Sequence, residues 1–313
     1  TYRLNSGNIA SGFAIFAVGL FKKIILADGI SPYADAVFAG AASGTQPDFV
    51  EAWVGALAYT FQLYFDFSGY SDMAIGLSWL FNVRLPYNFN SPYKALSIAD
   101  FWRRWHMTLS AFLRDYLYIP LGGNRMGSAR RVVNLWITMV LGGLWHGANW
   151  TFVFWGALHG FYLSVNHAFQ SLSLPWLERV RSTAFFRFIA WSLTFLSVVV
   201  AWVFFRASDF SSALRVLSGL LSPLNTSAGV SDHVLLFNQG LDLGRGIFWL
   251  GVLGAIATLL PSSNDLGEWL LARCRNSPKL SPFVLGCALV GTGFLVVVNG
   301  ARDSVSAFIY FNF

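Results

Sequence analysis

Long apolar runs recur along this chain, each close to the ~20 residues needed to cross a hydrocarbon layer: residues 132–149, 150–169, 185–205, 246–261 and 282–299. Two further runs are less clean, 9–27 with Lys22 and Lys23 inside it and 49–65 ending at Asp66. A water-facing globule coats itself with about 25% charged residues, and this chain has 12%. Lipid is therefore its main solvent. In lipid each backbone polar group must be satisfied inside the protein, which a helix does within one segment. The expectation is an all-α integral membrane protein with several spans in one domain over 1–313.

The 17% of aromatic residues fits that solvent. Trp and Tyr favour the membrane–water interface, and Trp53, Trp79, Trp145, Trp150, Trp202 and Trp249 fall near segment ends. The formal charge of +6 would suggest nucleic acid if the basic residues clustered on one soluble face. Instead they occupy short connections, so no nucleic-acid partner is expected. Residues 120–131, 170–187 and 268–280 are basic and read as cytoplasmic by the positive-inside bias. The nearly neutral 207–244 stretch reads as a loop on the other side, which puts residues near 146–150 in the outer half of the membrane. Cys274 and Cys287 have no metal-like spacing, and neither a metal site nor a disulfide framework is expected. The Asn225-Thr226-Ser227 sequon is too weak a signal to use.

Residues 66–123 break the pattern. Asp66, Asp72, Arg84, Asp100, Arg103, Arg104, His106, Arg114 and Asp115 sit there among aromatic side chains. Such a stretch is tolerated at membrane depth when it is buried in protein or lines a cavity. It reads as short helices inside the bundle. Asp66 and Asp72 form a structural polar knot with Arg103 or Arg104 as expected partners, because intramembrane acids need counter-charges.

Two histidines stand out. Read as one helix, Ala99–Tyr118 puts His106 on a face with Trp102, Trp105, Leu109, Phe112, Leu113 and Tyr116. The bland reading is a buried imidazole satisfied by one hydrogen bond, and the residues alone favour it. His146 is the sole ionisable group between Val132 and Trp150, with Gly142 and Gly143 one turn before it and Gly147 after. A neutral imidazole in a tight cavity suits general-base chemistry near neutral pH. A glycine packing patch with an incidental histidine accounts for the same residues equally well. His159 in the next apolar run could reach the same cavity, although packing explains it better. His167 and His233 read as solvated. No phosphate-binding loop, nucleophile elbow or H-E-x-x-H motif occurs.

FQLYFDFSGYSDMAIG (61–76), FWRRWHMTLSAFLRDYLYIPLGG (101–123) and GLWHGANWTFVFWGALHG (143–160) resemble the membrane-bound O-acyltransferase (MBOAT) family. GLFKKIILAD (19–28), WVFFRA (202–207) and FIYFNF (308–313) fit the same branch. That branch resembles the membrane subunit of bacterial alginate O-acetylation and its relatives acting on cellulose or peptidoglycan. Asn312 stands where the resemblance leads one to expect Gln. The resemblance implies a helical bundle with a central tunnel, His146 as the catalytic residue and His106 as the second histidine of the centre. Trp105, Trp145, Asn149 and His159 become tunnel candidates. It further implies a donor such as acetyl-CoA or an acetylated carrier with no bound cofactor, a polysaccharide acceptor outside the cytoplasm, periplasmic acetyltransferase partners, and a place among the lipids of the bacterial inner membrane. Family members carry more N-terminal spans, so the chain is expected to begin inside a longer protein. D-alanyl transfer to teichoic acid is the alternative within the family. A transporter or flippase is the alternative outside it: the buried charges and aromatics favour it when the resemblance is set aside, the resemblance disfavours it, and no internal repeat of the kind transporters often show is visible.

Overall fold

A computed structural model describes residues 5–172, 179–222, 233–277, 279–301 and 308. The 225–227 sequon and Asn312 lie outside them. Among the described residues the regular structure is helical, without strands. The helices are α1 (Ser6–Phe21), α2 (Asp28–Ala42), α3 (Phe49–Leu80), α4 (Ile98–Trp102), α5 (Met107–Leu113), α6 (Gly127–His146), α7 (Trp150–Gln170), α8 (Ala184–Arg206), α9 (Phe210–Leu221), α10 (Val234–Phe237), α11 (Leu243–Leu259), α12 (Ser263–Asn276) and α13 (Leu280–Gly300).

Among the described residues three helical stretches are long and apolar enough to cross a membrane: Ser6–Ala42, Ala184–Arg206 and Leu280–Gly300. The pair α11–α12, bent by 59°, makes up to a fourth. Helices α6 and α7, two of the clearest spans by sequence, have the length, at 20 and 21 residues, but miss that apolar standard. Arg130, Arg131, Asn134 and His146 on one, and His159, Asn166 and His167 on the other, lower the hydropathy of these helices.

Several boundaries differ from those expected of the sequence. Helix α3 does not end near Asp66 but continues to Leu80, with both acids inside it. The stretch 207–244 is not all loop. Asp209 caps α9 through a capping box with Ser212, and α10 follows. Ala99–Tyr118 is not one helix: α4 ends at Trp102, α5 begins at Met107, and Arg114–Tyr118 form a π-helical turn. His106 therefore does not share a continuous helical face with Phe112 and Tyr116, both of which are exposed. Trp79 and Trp202 are core residues rather than interface anchors.

The chain divides into two compact units, residues 1–31, 61–91 and 253–313 in one, and 32–60 and 92–252 in the other. In the first unit α1 crosses α3 at near backbone contact. A Cβ on Gly12 would lie 2.6 Å from the Gly76 carbonyl oxygen, and one on Gly19 would lie 2.5 Å from that of Gly69. Glycines seven residues apart on both helices make this approach possible, as in small-residue membrane crossings. Helix α1 also packs on α12 and α13, where Ile15, Ile75, Trp79 and Leu271 form an apolar cluster.

That crossing holds the polar knot, with partners other than those expected. Lys22 Nζ lies 2.7 Å from Asp72 Oδ2 and donates to Ser263 Oγ at 2.9 Å. Lys23 Nζ reaches Asp66 at 2.7 Å and Asp28 at 2.8 Å. A π-helical turn at Lys22–Ala27 joins α1 to α2. Its wider turn lets two adjacent lysines enter the interior side by side. Arg104 instead pairs with Asp100, four residues before it, and Arg103 is exposed.

In the second unit α6 and α7 form a hairpin packed through glycine. A Cβ on Gly143 would meet the Phe152 carbonyl oxygen at 2.2 Å, and one on Gly156 the Met139 oxygen at 2.3 Å. Helix α7 packs on α8 and α4. The N-terminus of α10 is held by Glu51, whose Oε1 accepts from the Leu235 and Leu236 amides at 2.8 and 3.2 Å. His233 is not simply solvated, since its Nδ1 lies 2.7 Å from Asp48 Oδ2. His167 bonds the Leu163 carbonyl at 2.8 Å.

Candidate active site

Helix α6 ends on His146 because the chain cannot continue the spiral there. Gly147 is fully extended (φ 162°, ψ 156°), and a Cβ at that position would lie 2.7 Å from the Phe152 ring. Asn149 then caps α7, its Oδ1 accepting from the Thr151 amide at 3.1 Å and its Nδ2 donating to the Ser208 carbonyl at 2.9 Å. Through these contacts Asn149 fixes the turn that aims His146.

The His146 ring sits in an aromatic box. Phe205 lies 4.9 Å away, Trp155 5.4 Å and Phe152 6.3 Å, centroid to centroid, with Phe205 and Trp155 near-perpendicular. Helix α7 supplies two of these walls and α8 the third. The fourth side carries Trp145, 54% exposed, whose ring lies 5.0 Å from His146 and 6.3 Å from His106. Both imidazoles therefore border the same Trp145 ring. Each retains a small accessible surface, 9% for His146 and 8% for His106.

His106 occupies the turn between α4 and α5 in a left-handed conformation (φ 43°, ψ 54°). Non-glycine residues rarely adopt it, and when they do the strain often marks a working site. The conformation breaks the helix and swings His106 toward Trp145. Glycine carries no Cβ penalty there. His106→Gly is therefore expected to be more stable than His106→Ala by about 1 kcal/mol. Thermal unfolding of the two purified variants checks this, and equal midpoints would show that no strain is stored in the turn.

The other candidates occupy the layer beneath. Trp105 is buried, tilted on Trp202 at 4.9 Å and stacked on Phe101 at 5.6 Å. His159 is fully buried. Its Nδ1 accepts from Trp102 Nε1 at 3.2 Å, which leaves the neutral ring protonated at Nε2. That Nε2, with Trp155 Nε1 and Trp202 Nε1, has no hydrogen-bond partner among the described residues. Trp155 stands between the two histidines, 4.9 Å from His159 and 5.4 Å from His146. His146 and His106 thus both lie against the exposed Trp145 ring, while His159 and Trp105 lie in the buried layer beneath. Reading the sequence alone missed Trp155, Trp202 and Phe205 as parts of this wall. Their spacing from the W-H-G turn carries no signal until α7 and α8 pack together.

The chemistry of two imidazoles in an apolar, partly open box is proton transfer. Residues 1–210 match the sequence pattern of MBOAT, the membrane-bound O-acyltransferase family. The chain belongs to that family. It is similar to a Helicobacter pylori protein named "Peptidoglycan O-acetyltransferase", at 43% identity over 99% of this chain and 58% of the relative. It is also similar to an Azotobacter vinelandii protein named "Probable alginate O-acetylase AlgI", at 49% identity over 68% of this chain and 40% of the relative. A Streptococcus thermophilus protein named "Teichoic acid D-alanyltransferase" is more distant, at 38% identity over 35% of this chain and 28% of the relative. The chain spans about three-fifths or less of the length of these curated relatives. It is a membrane protein of helical, MBOAT type, and its matched part includes both histidine turns.

Proposed function

We propose that this chain is the catalytic portion of an O-acyltransferase in a bacterial inner membrane. The enzyme moves an acetyl group from a cytoplasmic thioester, acetyl-CoA or an acetylated carrier, to a hydroxyl of an extracytoplasmic polysaccharide or of a partner acetyltransferase. The observation that carries this reading is the pair His146 and His106 about the exposed Trp145 ring, at the edge of an aromatic box. His146 takes the proton of the attacking hydroxyl as its oxygen bonds to the thioester carbonyl carbon. The carbon–sulfur bond breaks, and the proton passes to the departing thiolate. His106 donates to the carbonyl oxygen as charge develops on it. The low dielectric of the box strengthens these interactions.

Acetyl transfer is preferred to D-alanyl transfer because the similarity to acetylating relatives is longer. Peptidoglycan and alginate are the acceptors named in those relatives. The test is NMR of acetyl esters on purified envelope polysaccharides from a strain lacking the full-length protein. One polymer is expected to lose its ester signal and regain it on complementation. Unchanged esters on every polymer, or loss of D-alanyl esters instead, would overturn the reading.

A further inference from the structure

A groove of about 780 Å³ runs between the C-terminal half of α7 and the N-terminal half of α8. Its volume lies in the range of roughly 300–1,000 Å³ typical of ligand pockets. From α7 it takes Tyr162, Asn166 and Phe169, a stripe at helical spacing, and from α8 Ala190, Leu193 and Thr194. The small α8 residues leave the space, and the apolar ones face outward: Val165 and Leu193 are both more than half exposed. This wall suits a hydrocarbon chain arriving from the bilayer.

One end of the groove is charged. Among the described residues Arg181 is the sole charged side chain in the lining. Its Nη2 donates to the Phe169 carbonyl at 2.8 Å, and its guanidinium stacks on the Phe169 ring at 4.7 Å. Held in this way, the guanidinium keeps further N–H donors for an anion. Arg179 and Arg187 flank it in sequence, and the three arginines outnumber the one acid of residues 170–187, Glu178. One turn deeper, Asn166 Oδ1 is buried without a hydrogen-bond partner among the described residues. A hydrocarbon occupant alone leaves that oxygen unsatisfied, at the usual cost of a buried lone acceptor.

We propose that the groove binds one anionic phospholipid of the phosphatidylglycerol type. An acyl chain lies along Val165 and Leu193, the phosphodiester meets Arg181, and a headgroup hydroxyl donates to Asn166. Basic grooves between membrane helices recognise anionic headgroups on this principle. The site is separate from the histidine box and does not depend on the acyl-transfer reading.

Full-length protein, extracted and delipidated, is offered phosphatidylglycerol or phosphatidylcholine and followed by native mass spectrometry. Wild type is expected to retain the anionic lipid over the zwitterionic one by roughly fivefold or more, the preference of one basic contact. Arg181→Glu is expected to erase that preference, and Ala190→Trp, which fills the groove, to remove retention of both lipids. Should Ala190→Trp not fold, Ser197→Trp on the same stripe serves instead. Equal retention of the two lipids by wild type, or full retention by the filled variants, overturns the proposal. Displacement of the lipid by coenzyme A also overturns it, by reassigning the groove to the thioester donor. The readout needs neither donor nor acceptor, so its failure is distinct from a failure of the acyl-transfer reading.

Discussion

His146→Gln in the full-length protein is expected to lower acetyl-ester formation by roughly 10²–10⁴-fold, the usual worth of a positioned acid–base group. Glutamine keeps a polar side chain against Phe152, Trp155 and Phe205 but cannot exchange a proton near neutral pH. The loss should appear at saturating donor, because the imidazole acts on the transition state rather than on binding. Monodispersity after extraction and retention in the membrane fraction show that the variant is folded. His146→Ala should lose as much and be less stable, since truncating the ring opens a cavity in the box. A folded His146→Gln protein that restores normal ester levels to a deletion strain would remove His146 from the mechanism.

The second large effect belongs to the polar knot. Lys23→Met removes the ammonium that both Asp28 and Asp66 contact. Breaking a buried pair by deleting one partner costs about 3–5 kcal/mol, because the remaining charge stays out of water. The variant is expected to unfold at markedly lower temperature and to extract in low yield. Adding Asp66→Asn should recover part of the loss, since the double variant buries one carboxylate fewer. The coupling read from that cycle isolates the ion pair from the packing of the lysine stem. A Lys23→Met protein as stable as wild type would mean that these ion pairs do not hold the fold together.

These two sites differ in how far they can be read without coordinates. The W-H-G turn is visible in the residues. A lone imidazole interrupts an apolar run, glycines surround it, and Asn149 follows at a capping position. Each signal is local, and His146 lands where they put it, at the end of α6. The left-handed turn at His106 is not local in that sense. Residues 99–118 have a good helical pattern, and nothing in their periodicity breaks it between Trp102 and Met107. The helix gives way there while Trp105 is buried against Phe101 and Trp202, and burial of aromatic surface is large enough to outweigh the propensity of a few residues.

The lysine–aspartate knot shows the same limit. Hydropathy marks Lys22, Lys23, Asp66 and Asp72 as costly in lipid, so a compensating charge is required. It does not say which charge. Arg103 and Arg104 are the nearer basic residues along the chain, yet the lysines that pair with Asp66 and Asp72 lie about 40 residues or more upstream. Glycines 12, 19, 69 and 76 bring α1 and α3 together closely enough for the ion pairs to form.

Whatever depends on solvent and on neighbours within a turn or two is already written in the residues: a helical membrane chain, the helices that carry the apolar runs, and the turn that presents His146. Packing in three dimensions settles the rest, namely which charges pair, where a regular pattern yields to a strained turn, and which aromatic rings wall the histidines. Those outcomes turn on the approach of backbones far apart in the chain, where a single missing Cβ sets a distance that no local periodicity encodes.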